Sequence, residues 1–544
     1  MKGIYFVIRK FRIYLIMVFL LSAAILLLGC EETIDMDNPP PETETSAVED
    51  PPPPDAPIRN PSVPGQFTIR YVPDEPINPI TSLSRDNIVL SSLLYESLFR
   101  LDGSLIVEPL LCESWSTEDG ITYEFTLKPF IAMSDGSFLT ADDVVYTFEQ
   151  AMQRGRFINR LSVIRSVESD EELTVTIVLR SANYRFINLL DVPIIKNGSI
   201  DARIPPGTGS YVFANTGALR LVRFIRHRDQ AKLPIPEIAL LECEDNELAE
   251  LFDSGTLSLL WDDPADAFDI ILNRQNELRL YDTTAMQFIG FNARSIVLSD
   301  ADVRRAIGSS INRQHITGSI MPGQSHPTRL ALSPAYRLYE AHWEQTSVDP
   351  LREMSALLRR AGLEDADNDS FLEYPDGFGG FLKIALDFIV NSENTYKVQA
   401  AHRIADTLRL YGVSVVVREL PWENFLISLE VGAYDMYYGE VVLGADFDFS
   451  PLLTPDGYLN YGLTGHEIYR PVVEAFLSAQ TDDEERMAAL NLCNEINLNA
   501  PFVPILYKRY AVYTPIGAIS SATPSQSGVF SNFADWTIDL TMIP

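Results

Sequence analysis

No other part of this sequence restricts the fold as much as residues 382–442. LKIALDFIV is an apolar run of strand length, the segment 392–411 carries helical periodicity and stops at Gly412, and VSVVV is a second strand. Residues 423–429 suit another helix, and YDMYYGEVV is a third strand. With right-handed crossovers, such a strand-helix-strand-helix-strand succession forms a parallel sheet with helices on its faces. Ligands of these sheets sit beyond the carboxyl ends of the strands. The loop leaving the third strand, LGADFDFSP at 443–451, holds two acids and two phenylalanines in that place.

The rest of the body also alternates strands with capped helices. ITYEFTLKPF sets Ile121, Tyr123, Phe125 and Leu127 on one face with period two, a half-buried strand. After a turn at Asp135-Gly136, Thr140 is placed to accept the amide of Asp143, and Asp142 and Asp143 meet the positive end of a helix dipole. The expected buried stripe of that helix is Ala141, Val145, Phe148 and Met152. LSDADVRRAIGSSINRQHI gives a cap at Ser299 and Asp302 and a stripe at Val303, Ala306, Ile307 and Ile311. DPLREMSALLRRAGL reads as N-cap Asp349, Pro350 in the first turn, a stripe at Met354, Leu357, Leu358 and Ala361, and a stop at Gly362. At 544 residues the chain is too long for one core, so two or more lobes are expected. A net charge of -33 repels nucleic acid and anionic membrane surfaces alike and argues against both as partners.

The N-terminus is a separate object. Lys2, Arg9, Lys10 and Arg12 precede an apolar run from Ile13 to Leu28, and LLGC follows, the pattern of a secretion signal over 1–29. The LLGC tetrapeptide resembles the lipobox of bacterial lipoproteins, with Leu28 where a small residue is usual; the resemblance implies that Cys30 becomes the mature, lipid-bearing N-terminus. The other reading is an uncleaved membrane helix. Residues 30–65 are rich in proline and acids and nearly free of aromatics, a stalk that cannot bury enough surface to order itself. Among the other cysteines, Cys112, Cys243 and Cys493, buried thiols behaving as small hydrophobes are favoured over one disulfide plus a free thiol.

The order of motifs resembles one family. LLYESLFRLDGSLIVEPLLCESWSTEDGITYEFTLKPFIAMSDGSFLTADDVVYTFE (93–149), PPGTGSYVF (205–213), QFIGFNARSIVLSDADVRRAIGSSINRQHI (287–316) and AQTDDEERMAALNLCNEINLNAPFVPILY (479–507) are similar, in that order, to signatures of the peptide/nickel class of extracellular solute-binding proteins, the capture subunits of ABC importers. That resemblance implies an α/β, two-lobed periplasmic-binding-protein-like fold with a hinge and an extra subdomain on the first lobe. On its pattern the first lobe's base is 66–97, 203–285 and 503–544, the extra subdomain 98–202 and the second lobe 286–502. The chain crosses between lobes near 288–291 and 501–504. The implied activity is capture, not catalysis: a lipid-anchored monomer on the extracytoplasmic face closes on an oligopeptide or dipeptide and delivers it to a membrane permease. A peptide-sensing receptor on the same fold, and a binder of metal chelates or sugars, are the alternatives. A hydrolase with a dispersed acidic pair is a third class. No HExxH, G-x-S-x-G, Walker A or Rossmann fingerprint appears.

Site residues follow from the resemblance and the loop chemistry. Asp446 resembles in position the aspartate with which peptide-binding members hold a ligand's ammonium, although Leu443 stands where those members usually have tryptophan; a solvated loop acid is the plainer reading. Phe447 is either a pocket wall or a core anchor, and Asp448 a local cap. Asn292 and Arg294 are candidates to hydrogen-bond ligand backbone, with structural pairing equally open, and Tyr95, Glu96 and Tyr211 face the inter-lobe region by resemblance. Gly207 and Gly209 are expected to serve turn geometry. No cofactor is called for, but DADNDSFLEYPD sets Asp365, Asp367, Asp369 and Asp376 at calcium-loop spacing, with Ser370 in place of the usual glycine. An acidic surface loop is the alternative there.

Overall fold

The computed structural model describes residues 65–214, 219–264, 270–344, 349–462 and 467–543. The signal at 1–29, Cys30 and nearly all of the stalk lie outside them. No helix among the described residues is long and apolar enough to cross a membrane.

Strands β1 (Thr68–Tyr71), β6 (Tyr211–Phe213), β7 (Arg220–Arg223) and β8 (Glu237–Glu242) form a mixed sheet in the order β1-β8-β7-β6, with β1 parallel to β8. Helix α1 (Arg85–Ser91) lies between β1 and the segment 92–97, and Ser84 caps it by accepting the Asn87 amide. An antiparallel sheet follows, built from β2 (Cys112–Ser116), β3 (Thr122–Leu127), β4 (Ile164–Glu171) and β5 (Thr174–Leu179) in the order β2-β3-β5-β4. Tyr123, Phe125 and Leu127 fill its inner face, as their period predicts.

Helix α2 (Ala141–Gln153) covers that sheet, but its buried stripe differs from expectation. Its buried face is Ala141, Val144, Thr147, Phe148 and Ala151, so Val145 and Met152 are only half-buried. The stripe is turned because Asp143 points inward, where it accepts the Asn197 amide at 2.9 Å and pairs with Lys196 at 3.2 Å. At the start of α2 a capping box forms between Thr140 and Asp143, as expected, and the Thr140 N–H and hydroxyl lie 2.9 and 3.0 Å from the Asp143 carboxylate.

The second lobe carries the parallel unit. β11 (Leu386–Asn391), β12 (Val415–Leu420) and β13 (Met436–Val442) alternate with α5 (Thr395–Leu410) and α6 (Trp422–Val431), and β11 is parallel to both β12 and β13. Gly412 and Gly432 end the two helices at φ 83° and 71°. Helices α3 (Ala301–Ser310) and α4 (Pro350–Arg360) pack beside this unit, and α7 (Asp482–Asn499) leads into the last long strand. Asp300, not Ser299, caps α3, accepting the Asp302 amide at 2.8 Å.

Two long antiparallel strands, β10 (Asn276–Phe291) and β14 (Phe502–Pro515), join the lobes, and the seven-stranded sheet runs β9 (Leu260–Asp262)-β14-β10-β13-β11-β12, with Ser325–Pro327 also paired to β14. Their ladder breaks register between Asp282 and Met286, upstream of Phe288. There the Thr283 hydroxyl bonds the Lys508 carbonyl at 2.7 Å, and Gln526 engages both the amide and the hydroxyl of Thr284 at 2.8 Å. One apolar cluster gathers Phe67 to Tyr281 with Val512 to Ile543, while two others are built mainly from residues between Met286 and Tyr507, one of them also taking in Leu101 and Leu105.

Candidate functional site

A cavity of about 870 Å³ opens where α1, the segments 156–160 and 227–233, the register break and the loop after β13 converge. Residues 442–445 form one wall beyond the carboxyl end of β13, and Tyr281, Thr283 and Ala285 line the break itself. In a chain of net charge -33, the cavity has the opposite balance. Arg85, Arg100, Lys128, Arg156, Arg160, Arg228 and Lys232 line it against Glu96, Asp191, Asp229 and Asp535.

Those charges are unequally matched. Glu96 takes both Arg228 guanidinium nitrogens at 2.8 and 2.6 Å and sits 3.5 Å from His227. Burial alone would raise its pKa, but these hydrogen bonds and the Arg228 charge overcome that and hold it at about 2. Lys232 pairs with Asp229 at 2.6 Å. Arg160 pairs with Asp191 yet keeps a buried Nε with no partner among the described residues. Lys128 donates to the Leu110 carbonyl at 2.8 Å, and the Arg156 guanidinium rests 4.7 Å over the Phe157 ring.

The loop after β13 holds a carboxylate one layer behind the wall. Asp446 is 2 % exposed and accepts from Asn183 Nδ2 at 2.9 Å. Gly444 is what keeps it near the cavity: a Cβ there would fall 2.4 Å from Asp446 Oδ1 and 2.9 Å from Leu189 Cδ2. Burial first, then repulsion from Asp448, raises the Asp446 pKa to about 6, with Asn183 and Arg160 opposing. The carboxylate is thus screened from the cavity by the Gly444 backbone, and its charge reaches the cavity only as a field.

The model of bacterial extracellular solute-binding proteins, family 5 (middle), matches residues 107–458. This chain belongs to that family. It is 24 % identical over 306 residues to the glutathione-binding protein GsiB of Salmonella typhi, covering 53 % of this chain and 57 % of the relative. It is 21 % identical over 392 residues to the oligopeptide-binding protein AppA of Bacillus subtilis (strain 168), covering 68 % and 70 %. The chain thus spans about 57 % of the length of the first of these relatives. The solved structure of MppA, a periplasmic murein tripeptide binding protein in its unliganded open form, superposes with a TM-score of 0.69 at 16 % identity, over 87 % of this chain and 97 % of MppA. At that identity the likeness is one of fold: two-lobed and α/β.

Within this family 5 protein the residues singled out from sequence divide sharply. Tyr95 and Glu96 line the cavity, Tyr95 with its hydroxyl on the Pro205 carbonyl at 2.9 Å. Asp446 stands behind Gly444, not in the wall. Tyr211 is fully buried, its hydroxyl on the Ile235 carbonyl at 2.6 Å. Phe447 is in the core, with ring contacts to Tyr336 at 5.5 Å and Tyr507 at 6.4 Å, because a left-handed φ of 54° turns it inward. Asn292 Nδ2 holds the Gly432 and Tyr434 carbonyls at 3.1 and 3.0 Å, and Arg294 is exposed; neither lines the cavity. Asp448 caps locally, accepting the Ser450 amide at 2.8 Å.

The calcium-loop residues also part company. Asp369 and Asp367 each pair with Lys383 at 2.7 Å, and Asp376 accepts the Phe378 and Gly380 amides of its own turn. Glu373, absent from the spacing argument, joins Asp365 and Asp367 instead. The cavity's Arg156, Arg160, Asp191 and Arg228 also escaped sequence reading. The only signal for the three arginines was the density of cations in RGRFINR and RHRD within an acidic chain.

Proposed function

We propose that this family 5 protein is the lipid-anchored, extracytoplasmic capture subunit of an ABC importer, and that its cargo is a short peptide carrying more than one carboxylate. The observation that carries this reading is the cavity of about 870 Å³, walled by both lobes and the register break and richer in cations than in carboxylates. Its volume lies in the usual range of roughly 300–1,000 Å³ for small-ligand sites, which favours a short peptide. The surplus guanidinium and ammonium groups suit ligand carboxylates, while Asp446, one layer behind Gly444, adds a negative field on the side where the ligand's ammonium would lie. The names of the relatives, glutathione-binding and oligopeptide-binding, support the same class. No bond is made or broken. Ligand touching both lobes favours the closed form, and that form is delivered to the permease. LLGC at Cys30, followed by the proline and acid-rich stalk, supports tethering of a monomeric body above the membrane.

The test is native mass spectrometry of the purified full-length chain before and after unfolding and refolding to strip ligand. A mass excess that vanishes on refolding and fragments as an acidic peptide is expected; an excess that proves to be sugar or metal chelate, or no excess and no thermal shift with acidic peptides, overturns the peptide assignment. Cys30→Ala should move the protein out of the membrane fraction without altering peptide affinity.

A further inference from the structure

We propose that Asp365, Asp367 and Glu373 hold a calcium ion that staples the loop 364–373 onto the second lobe. One carboxylate oxygen from each of the three lies within 4.8 Å of the others. Asp365 and Asp367 are exposed, and by themselves they would be an ordinary acidic loop. Glu373 is different: it is 3 % exposed, its Oε2 accepts the Ala366 amide at 2.8 Å, and its Oε1 is buried with no hydrogen-bond partner among the described residues. Leaving a carboxylate oxygen unsatisfied in the interior is costly, and a cation among the three side chains would satisfy it.

The donor set is all oxygen, which selects a hard cation, and a flexible loop favours calcium over magnesium with its demand for tight octahedral geometry. Ser370, where a calcium loop normally has glycine, takes φ 73°, so the turn is made without glycine. Asp365 already receives the Asp369 and Ser370 amides at 3.0 and 3.1 Å, which fixes its carboxylate. Lys383, on the strand Phe381–Lys383, competes for Asp367 at 2.7 Å, so the affinity should fall in the weak class of about 10⁻⁴–10⁻³ M typical of extracellular modules.

The ion's effect follows from where the loop is attached. Glu373 and Glu364 pair backbone to backbone at 2.8 and 3.2 Å, closing the loop, and the Leu372 amide donates to the Gly412 carbonyl at 2.7 Å, at the turn between α5 and β12. Fixing Glu373 therefore fixes the loop against the parallel unit. The assignment does not depend on the cargo.

The full-length chain, stripped with chelator, is titrated with calcium chloride and with magnesium chloride while its thermal unfolding is followed. Calcium should raise the midpoint saturably in the concentration range above, with a smaller response to magnesium. Glu373→Gln should abolish the calcium response while leaving the metal-free midpoint near wild type, and Lys383→Met should tighten calcium by about tenfold. If Glu373→Gln fails to fold, Asp367→Asn, exposed and on no core contact, must weaken calcium by a similar factor. No saturable response of wild type and Lys383→Met up to ~10 mM calcium, or equal responses of wild type and both carboxylate variants, overturns the site.

Discussion

Asp446 costs the ligand-free protein stability, while the proposed function gives its charge a part in binding. Its carboxylate is buried and close to Asp448, and the Asn183 side chain and the Asp448 amide do not offset that, so its pKa rises to about 6 from an ordinary value of 3.8. A raised acid pKa means that the native state holds its proton more tightly than the unfolded chain, so stability falls as pH rises from about 4 through about 6. Asp446→Asn, which keeps an acceptor for Asn183, should therefore raise the stability of the ligand-free protein by on the order of 1–3 kcal/mol near pH 8, with the gain vanishing below about pH 4. Urea unfolding of both proteins across that range checks it. The same variant should lose affinity for peptides with a free ammonium, a loss that an N-acetylated peptide would not feel. Gly444→Ala tests the layer in front: the new methyl group would displace the carboxylate and Leu189, and peptide affinity should fall about tenfold or more while Glu96 and Arg228 stay paired.

At the scale of elements, the glycine turn at 205–213 works differently from the way its sequence suggests. Neither Gly207 nor Gly209 has a positive φ. What they permit is contact between backbones: a Cβ on Gly209 would lie 2.2 Å from the Leu94 carbonyl carbon, and one on Gly207 2.5 Å from its oxygen. Backbone cannot yield as a side chain tip can, so Gly209→Ala should cost about 2 kcal/mol or more and loosen Tyr95 and Glu96 at the cavity, visible as a lower unfolding midpoint and weaker ligand binding together. The parallel unit was readable because each of its strands and helices carries its own period and stop, down to Gly412. The α2 stripe was misread by one position because Asp143 is buried for its partners Lys196 and Asn197, which lie far along the chain. The cavity lining was legible only where it coincides with an element end, as at Tyr95, Glu96 and the loop after β13. Arg156, Arg160, Asp191 and Arg228 converge through tertiary packing of segments with no shared periodicity, and a one-residue backbone choice at Phe447 turned a candidate wall into core.

For the whole molecule, the register break and a buried charge cluster share one place. Lys508 Nζ contacts Asp263 and lies 3.2 Å from Glu440, while Lys397 pairs with the same Glu440 at 3.0 Å. Asp263 follows β9 in one lobe, Glu440 belongs to β13 in the other, and Lys508 lies on the β14 strand that crosses between them. The cluster therefore ties both lobes to the strand about which they would move. Burial opposes ionisation of Glu440, yet the two lysines win and hold its pKa at about 2, so its stabilising contribution is present above about pH 4.5 and is lost as pH falls through about 2. Removing one partner of a buried ion pair strands the others: Lys508→Met should cost roughly 3–5 kcal/mol, more than any exposed charge change. Because Lys397 still serves Glu440, most of that loss should come from Asp263, and adding Asp263→Asn should restore a large part of it. Chemical denaturation of the two variants measures the recovery. If the double variant regains stability but closes on peptide less completely, as read from the radius of gyration with and without ligand, the cluster sets the angle between the lobes as well as their stability. If it regains both, the hydrogen bonds of Thr283, Thr284 and Gln526 at the register break hold that angle without it.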